Sequence, residues 1–170
     1  MKNLNEVLSI RKFVMDDAEF VLELANSEGW LRFIGDKHIY DLAAARDYIR
    51  KGPLKDYQSE GLGLMIVECW EPTSSSNIPV GVCGLLQRPF LDSPDIGYAL
   101  LPQYEGRGYI RWAVNRTLGQ LNSKHTFSEI YALITPGNER SVRVVTNFGF
   151  ELEGSRILNG RQTLIYKKLL

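Results

Sequence analysis

Residues 102–109, PQYEGRGY, set two glycines one residue apart between an alternating run that reads as a strand and an amphipathic run that reads as a helix. Gly106 and Gly108 can take positive φ and carry no side chain to block a ligand, so consecutive backbone N–H groups can converge on an anion. The helix start behind them adds unpaired donors and the positive end of a dipole. The chemistry on offer is phosphate binding by backbone. Two glycines alone also suit a plain strand-to-helix turn, but two well-known phosphate loops are excluded. A nucleoside-triphosphate loop needs Lys and Ser or Thr after its last glycine, whereas Tyr109 and Ile110 follow Gly108. A dinucleotide fingerprint needs a third glycine where Arg111 stands, and its strand opens the domain instead of arriving this late.

Other reactive side chains are scattered. Cys69 and Cys83 fall in neighbouring predicted strands with no metal-ligand companion and read as buried, reduced thiols. His38 and His125 are isolated, so no metal is expected. A chain of 170 residues, 44% hydrophobic and 24% charged, can bury a full core and reads as one domain over residues 1–170. Twenty basic residues balance twenty acidic ones, so no overall field favours nucleic acid or an anionic membrane. No run approaches the roughly 20 apolar residues that span a bilayer. The expectation is a cytoplasmic protein, monomer or homodimer, with neither nucleic acid nor membrane as partner.

The elements that must position the loop follow from periodicity and punctuation. Leu8, Ile10 and Phe13 start a first strand. Asp16 and Glu19 read as a capping box for a helix carrying Phe20, Val21 and Leu24 inward. Residues 29–40, GWLRFIGDKHIY, are aromatic and glycine-punctuated and read as irregular. Asp41 then caps a helix over residues 42–51 that stops at Gly52 and Pro53. Residues 63–70 and 79–87 read as antiparallel strands, and residues 95–101 as the strand that enters the glycine loop. Ile110, Ala113, Val114, Leu118 and Leu121 recur at helical spacing behind that loop. A strand at 130–135, a helix from Asn138 to Phe148, and strands at 150–158 and 161–168 around Asn159 and Gly160 complete the chain. The sum is an α+β domain: a mixed, mostly antiparallel sheet of about seven strands flanked by about four helices.

PDIGYALLPQYEGRGY followed by NERSVRVVTNFGFELEG resembles the GNAT acetyltransferase superfamily, in the branch of the ribosomal-protein N-acetyltransferases. The resemblance extends to the opening DDAEFVLELANSEGWLRFIGDKHI, to GVCGLL and to the closing hairpin. It implies an α+β GNAT fold and an acetyl-CoA-dependent N-acetyltransferase. Such an enzyme moves an acetyl group directly from the thioester to a primary amine, at a protein or peptide N-terminus or on a small molecule. The alternatives are a non-catalytic acyl-CoA-binding module of the same fold, or an enzyme using another acyl-CoA.

The family's pyrophosphate pattern lies here on residues 105–110, with Glu105 for the usual Gln or Arg and Ile110 for Gly or Ala. The resemblance thereby gives Gly106, Arg107, Gly108, Tyr109 and Ile110 to the coenzyme A phosphates. Glu105 would repel a diphosphate and is expected to face solvent, while Arg107 would help neutralise it. Tyr98, Ala99 and Leu100 are implied as the strand backbone beside the pantetheine and thioester, and Asn138 as a pantetheine contact. Ser141 is implied as proton donor to the leaving sulfur. The tyrosine that many relatives use further along this helix is Val145 here. Asp95 is the nearest carboxylate in sequence to the thioester and is the first candidate base, with Asp36 second; each equally suits a structural role, Asp95 at a strand start and Asp36 in a turn after Gly35. Trp30, Phe33 and Tyr40, beside Asp36, either line the acceptor pocket or belong to the core.

Overall fold

In the computed structural model, which describes residues 4–58, 62–124 and 127–170, the first half of the chain runs α1 (Leu4–Val7), β1 (Leu8–Arg11), α2 (Ala18–Ala25), α3 (Glu28–Phe33), α4 (Leu42–Lys51), α5 (Pro53–Asp56), β2 (Gly63–Glu71), β3 (Ser76–Leu86) and β4 (Asp95–Leu100). It continues with α6 (Tyr109–Lys124), β5 (Glu129–Ile134), α7 (Glu139–Asn147), β6 (Glu151–Leu158) and β7 (Arg161–Leu169). His125 lies outside the described residues. Seven strands form one sheet in the order β1-β2-β3-β4-β5-β7-β6, antiparallel throughout except for the parallel β4/β5 junction. The architecture is the mixed, mostly antiparallel α+β fold expected.

Each face of the sheet carries its own core. On one, α6 and α7 bury Ala113, Val114, Leu121 and Val145 against Val67, Val80, Cys83, Ile96, Ile130 and Tyr166. On the other, α2, α3 and α4 bury Val21, Leu24, Trp30, Ala45 and Ile49 against Leu64, Ile66, Val82 and Leu101. The 3.6-residue period of α6 and the 2-residue period of the strands thus meet in closed apolar layers.

Local signals explain most boundaries. The Asp41 carboxylate accepts the Ala44 N–H at 2.7 Å, an N-cap worth about 1 kcal/mol, and Gly52 ends α4 by donating to the Tyr48 carbonyl at 2.9 Å. Two expectations need correction. The start of the segment 29–40, read as irregular, belongs to helix α3 (Glu28–Phe33); with only six residues and no side-chain cap bond it is held by Trp30 in the core more than by propensity. The Asp16/Glu19 capping box is not formed. Asp17 flanks α2 instead, and its carboxylate accepts the Val14 N–H at 2.8 Å and two bonds from the Arg11 guanidinium, at 2.7 and 2.8 Å. Arg11 also donates to Glu68 at 2.6 Å, tying β1 to β2 and to the start of α2.

One joint in the sheet positions everything that follows. β3 and β4 share six register pairs, as do β5 and β7. β4 and β5 share one, Asp95 with Tyr131, reinforced by the Tyr131 N–H donating to the Pro94 carbonyl at 3.0 Å. Beyond it the two strands part.

Candidate active site

The parting of β4 from β5 leaves strand backbone without a ladder partner. On β4 the Leu101 N–H donates to the Val80 carbonyl at 2.9 Å, so by antiparallel alternation Ala99 also bonds to β3, while Tyr98 and Leu100 turn their N–H and C=O groups into the gap. On β5 the direction of the Tyr131 N–H gives the same outlook to Leu133. The opening is therefore a slot with free backbone donors and acceptors along both walls, suited to an amide-bearing arm laid between the strands. Ala99, named with Tyr98 and Leu100, has its backbone engaged with β3 and offers the slot no backbone group.

At the wide end of the slot stand the glycine loop, after β4, and the first turn of α7, after β5. Gly106 and Gly108 take φ of 73° and 80°, and α6 starts at Tyr109, with the Trp112 N–H bonded to the Gly108 carbonyl at 3.0 Å. The N–H groups of Tyr109, Ile110 and Arg111 precede that first helical bond and form the unpaired donor set of the helix start. An alanine Cβ at Gly106 would meet no atom within 4 Å, and at Gly108 only the Leu4 side chain at 3.8 Å. Among the described residues, space is thus open where a side chain would project at either glycine. Arg107 places its guanidinium 5.4 Å from the Tyr104 ring centre, and Tyr104 stacks on Tyr109 at 6.5 Å. The Tyr109 hydroxyl in turn lies 3.5 Å from the Cys69 sulfur.

Glu105, expected to face solvent, is exposed and ion-paired with Arg140 of α7. That pair escaped sequence reasoning because its members are 35 residues apart and nothing local couples them.

Asn138 caps α7, its side-chain oxygen accepting the Ser141 N–H at 3.2 Å. The Tyr98 hydroxyl donates to the Ser141 carbonyl at 3.2 Å, so a side chain from β4 reaches across the slot and fixes the turn that carries Ser141. Burial raises the Tyr98 phenol far above its usual range and keeps it protonated as that donor. The Ser141 side chain is half-buried, and its hydroxyl interacts with the Tyr98 hydroxyl as well, so the two side chains are tied together at the slot. Val145 is fully buried in the core.

Asp95 sits at the narrow end of the slot. It is 2% exposed and accepts from Arg88 Nε at 2.9 Å. Burial pushes its carboxyl above the usual carboxylate range, against the pull of Arg88. Arg88, which the sequence did not single out, lies in the turn between β3 and β4, where an exposed arginine gives no signal of a buried partner.

The residues expected to line an acceptor pocket lie on and after α3. Trp30 is buried among α2 and α4, edge-on to Tyr48 at 6.5 Å, and its indole N–H has no hydrogen-bond partner among the described residues. Phe33 is half-buried beneath the Arg32 guanidinium, and its carbonyl accepts the Thr135 hydroxyl at 2.7 Å, which attaches α3 to the end of β5. Asp36 is exposed and accepts from the His38 N–H at 2.7 Å and from the Tyr40 hydroxyl, which together hold its carboxyl below the usual range. Arg161, from the β6/β7 hairpin, donates to the Arg32 carbonyl at 2.6 Å and closes this side.

Cys83 is buried and lies 3.4 Å from the Thr117 hydroxyl, its thiol pushed up to about 12. Among the described residues no group of three or more His, Cys, Asp or Glu could hold a metal ion, and no helix is long and apolar enough to cross a membrane.

The slot thus has two backbone-lined walls, a glycine loop leading into α6 at one lip and the capped start of α7 at the other. The model of the GNAT acetyltransferase domain matches residues 8–151, and the chain belongs to that acetyl-CoA-binding family. No curated protein sequence matches significantly. Among solved structures, the ribosomal-protein-S5-alanine acetyltransferase from Vibrio fischeri is similar at 18% identity and a TM-score of 0.74, over 95% of this chain and 92% of that one. An acetyltransferase from Agrobacterium tumefaciens str. C58 is similar at 20% identity and a TM-score of 0.78, over 96% and 91%. RimL, described as a ribosomal L7/L12 alpha-N-protein acetyltransferase in complex with coenzyme A, is similar at 17% identity and a TM-score of 0.80, over 96% and 94%. These likenesses establish a shared fold.

Proposed function

We propose that this chain is an acetyl-CoA-dependent N-acetyltransferase acting directly on a primary amine in a ternary complex. The observation that carries the reading is the slot between β4 and β5, open from Tyr98 onward, with Gly106 and Gly108 at one lip and Ser141 at the other. Bound acetyl-CoA would supply an activated thioester. The amides from Gly106 to Ile110 would hold its phosphates, and Tyr98, Leu100 and Asn138 its arm. Leu100 or Tyr98 backbone N–H would face charge developing on the carbonyl oxygen.

Two proton transfers remain for the side chains. The Ser141 hydroxyl, beside the Tyr98 hydroxyl on a turn fixed by Asn138 and Tyr98, is assigned as donor to the departing sulfur. Asp95 is assigned as the eventual acceptor of the amine proton through water: Arg88 holds one carboxylate oxygen, and burial shifts the carboxyl in the direction a base requires. An α-amine, with a reference pKa of roughly 8, is already about a tenth uncharged near pH 7, so an N-terminal or similarly weakly basic amine is the acceptor this modest machinery serves best. Phe33 and Asp36 would border that acceptor, with Trp30 behind them. Neither cysteine is placed for an acyl-enzyme: Cys83 is enclosed and Cys69 faces the Tyr109 hydroxyl.

The test is a thermal-shift screen with acetyl-CoA and other acyl-CoAs, followed by turnover over peptide N-termini, polyamines and amino sugars. A ligand at a hundred times its Kd raises stability by roughly 2.7 kcal/mol. Stabilisation by acetyl-CoA together with acetylation of an N-terminal amine is expected. Stabilisation without turnover on any amine would replace the enzyme by a binding module, and none at all would remove both.

A further inference from the structure

Arg140 is placed against the local electrostatics, and Glu105 is placed where its charge would compete with a phosphate. Arg140 is in the first turn of α7, where the helix dipole disfavours a cation. Glu105 directly precedes the glycine cradle and stands near the N-terminus of α6, where a carboxylate is attracted to the same amides a phosphate would use. Their pairing removes both conflicts. The two residues come from opposite lips of the slot, the loop after β4 and the helix after β5, and the pair also lies beside α3: a Cβ at Gly29 would sit 3.8 Å from Glu105 Oε1.

Resting on the acyl-CoA reading above, we propose that Arg140 is a positioning residue of the phosphate site: it holds the Glu105 carboxylate out of the glycine cradle and cancels its charge, without itself contacting the ligand. The pair is exposed, with side-chain accessibilities of 75% and 36%, so it adds little to folding, and its consequence is for the charge that an incoming diphosphate meets. Arg107, the other nearby cation on the loop, is stacked on Tyr104 and does not duplicate that role.

The experiment compares wild type, Arg140→Ala, Glu105→Gln and the double variant by calorimetry with coenzyme A and with phosphate-free S-acetylpantetheine, at low and high ionic strength. Arg140→Ala is expected to weaken coenzyme A binding roughly tenfold at low salt and less at high salt, because it leaves a full charge a few ångströms from the phosphates. The double variant should return to within about twofold of wild type, and S-acetylpantetheine should bind all four proteins alike. Recovery in the double variant also excludes a folding defect as the cause. A double variant as weak as Arg140→Ala would show that Arg140 contacts the phosphates itself and would overturn the proposal. So would an Arg140→Ala protein that binds like wild type. Failure of the wild-type protein to bind coenzyme A is a different result, and it overturns the proposed function.

Discussion

Replacing Gly106 or Gly108 by alanine separates what the loop does for folding from what it does for a ligand. Both glycines occupy the left-handed region, at φ of 73° and 80°, where an L-residue pays about 1–2 kcal/mol. For a chain of this size each kcal/mol moves Tm by roughly 2–4 °C, so each variant should melt about 2–8 °C lower without ligand. No further loss is expected, because a Cβ at Gly106 meets nothing within 4 Å and one at Gly108 touches only the Leu4 side chain at 3.8 Å. That strain is common to the free and bound protein and cancels from the affinity for coenzyme A. Any rise in Kd therefore measures the methyl group against the ligand. A rise of at least tenfold, about 1.4 kcal/mol, is expected by calorimetry for at least one of the two positions. If Tm falls as calculated while both Kd values stay within about twofold of wild type, the loop is a strand-to-helix turn and the phosphate assignment is wrong.

Two further outcomes follow from the proposed proton path. Ser141→Ala should lower kcat by roughly 100-fold with little change in acetyl-CoA affinity, since the hydroxyl is asked only to donate a proton; unchanged turnover where chemistry limits the rate would remove the assignment. Asp95→Asn should abolish the acidic limb of the kcat/KM profile. It should also change stability with a definite sign. A carboxyl whose folded pKa is raised contributes stability below its unfolded pKa, and that contribution is lost as pH rises through the folded value, so wild type should lose stability relative to Asp95→Asn across that interval. Denaturation midpoints for the two proteins between about pH 3 and 7 test this; a gap that widens in favour of wild type as pH rises would mean that Arg88 dominates burial.

What could be read from the chain alone was what is encoded locally. Asp41 and Gly52 mark both ends of α4, and Asn159 with Gly160, at φ of 50° and 75°, turn β6 into β7, because caps and tight turns depend on a few adjacent residues. The same locality made the glycine loop and the start of α6 legible. Helix α3 was not, since a six-residue segment with a glycine inside it has no propensity signal and is helical through its packing. The site's side-chain partnerships were hidden for a related reason. Arg88 with Asp95, Tyr98 with Ser141 and Arg140 with Glu105 each depend on where distant elements come to rest, and letters seven, 43 and 35 residues apart do not announce one another. The residues of the slot came from a family resemblance; only the register of β3, β4 and β5 separates Tyr98 and Leu100 from Ala99.

The single register pair between Asp95 and Tyr131 makes the molecule two half-sheets that share one rivet. The angle between them is set away from the ligand, by α6 lying against β3 and β4 and by α7 lying on β5. Core substitutions at positions such as Ala113 or Val145, which would touch no substrate, therefore change the width of the slot. Under the proposed function, acyl-chain length and acceptor size would become traits that selection can alter from the helix side, while the strands and the loop that would meet the ligand stay as they are.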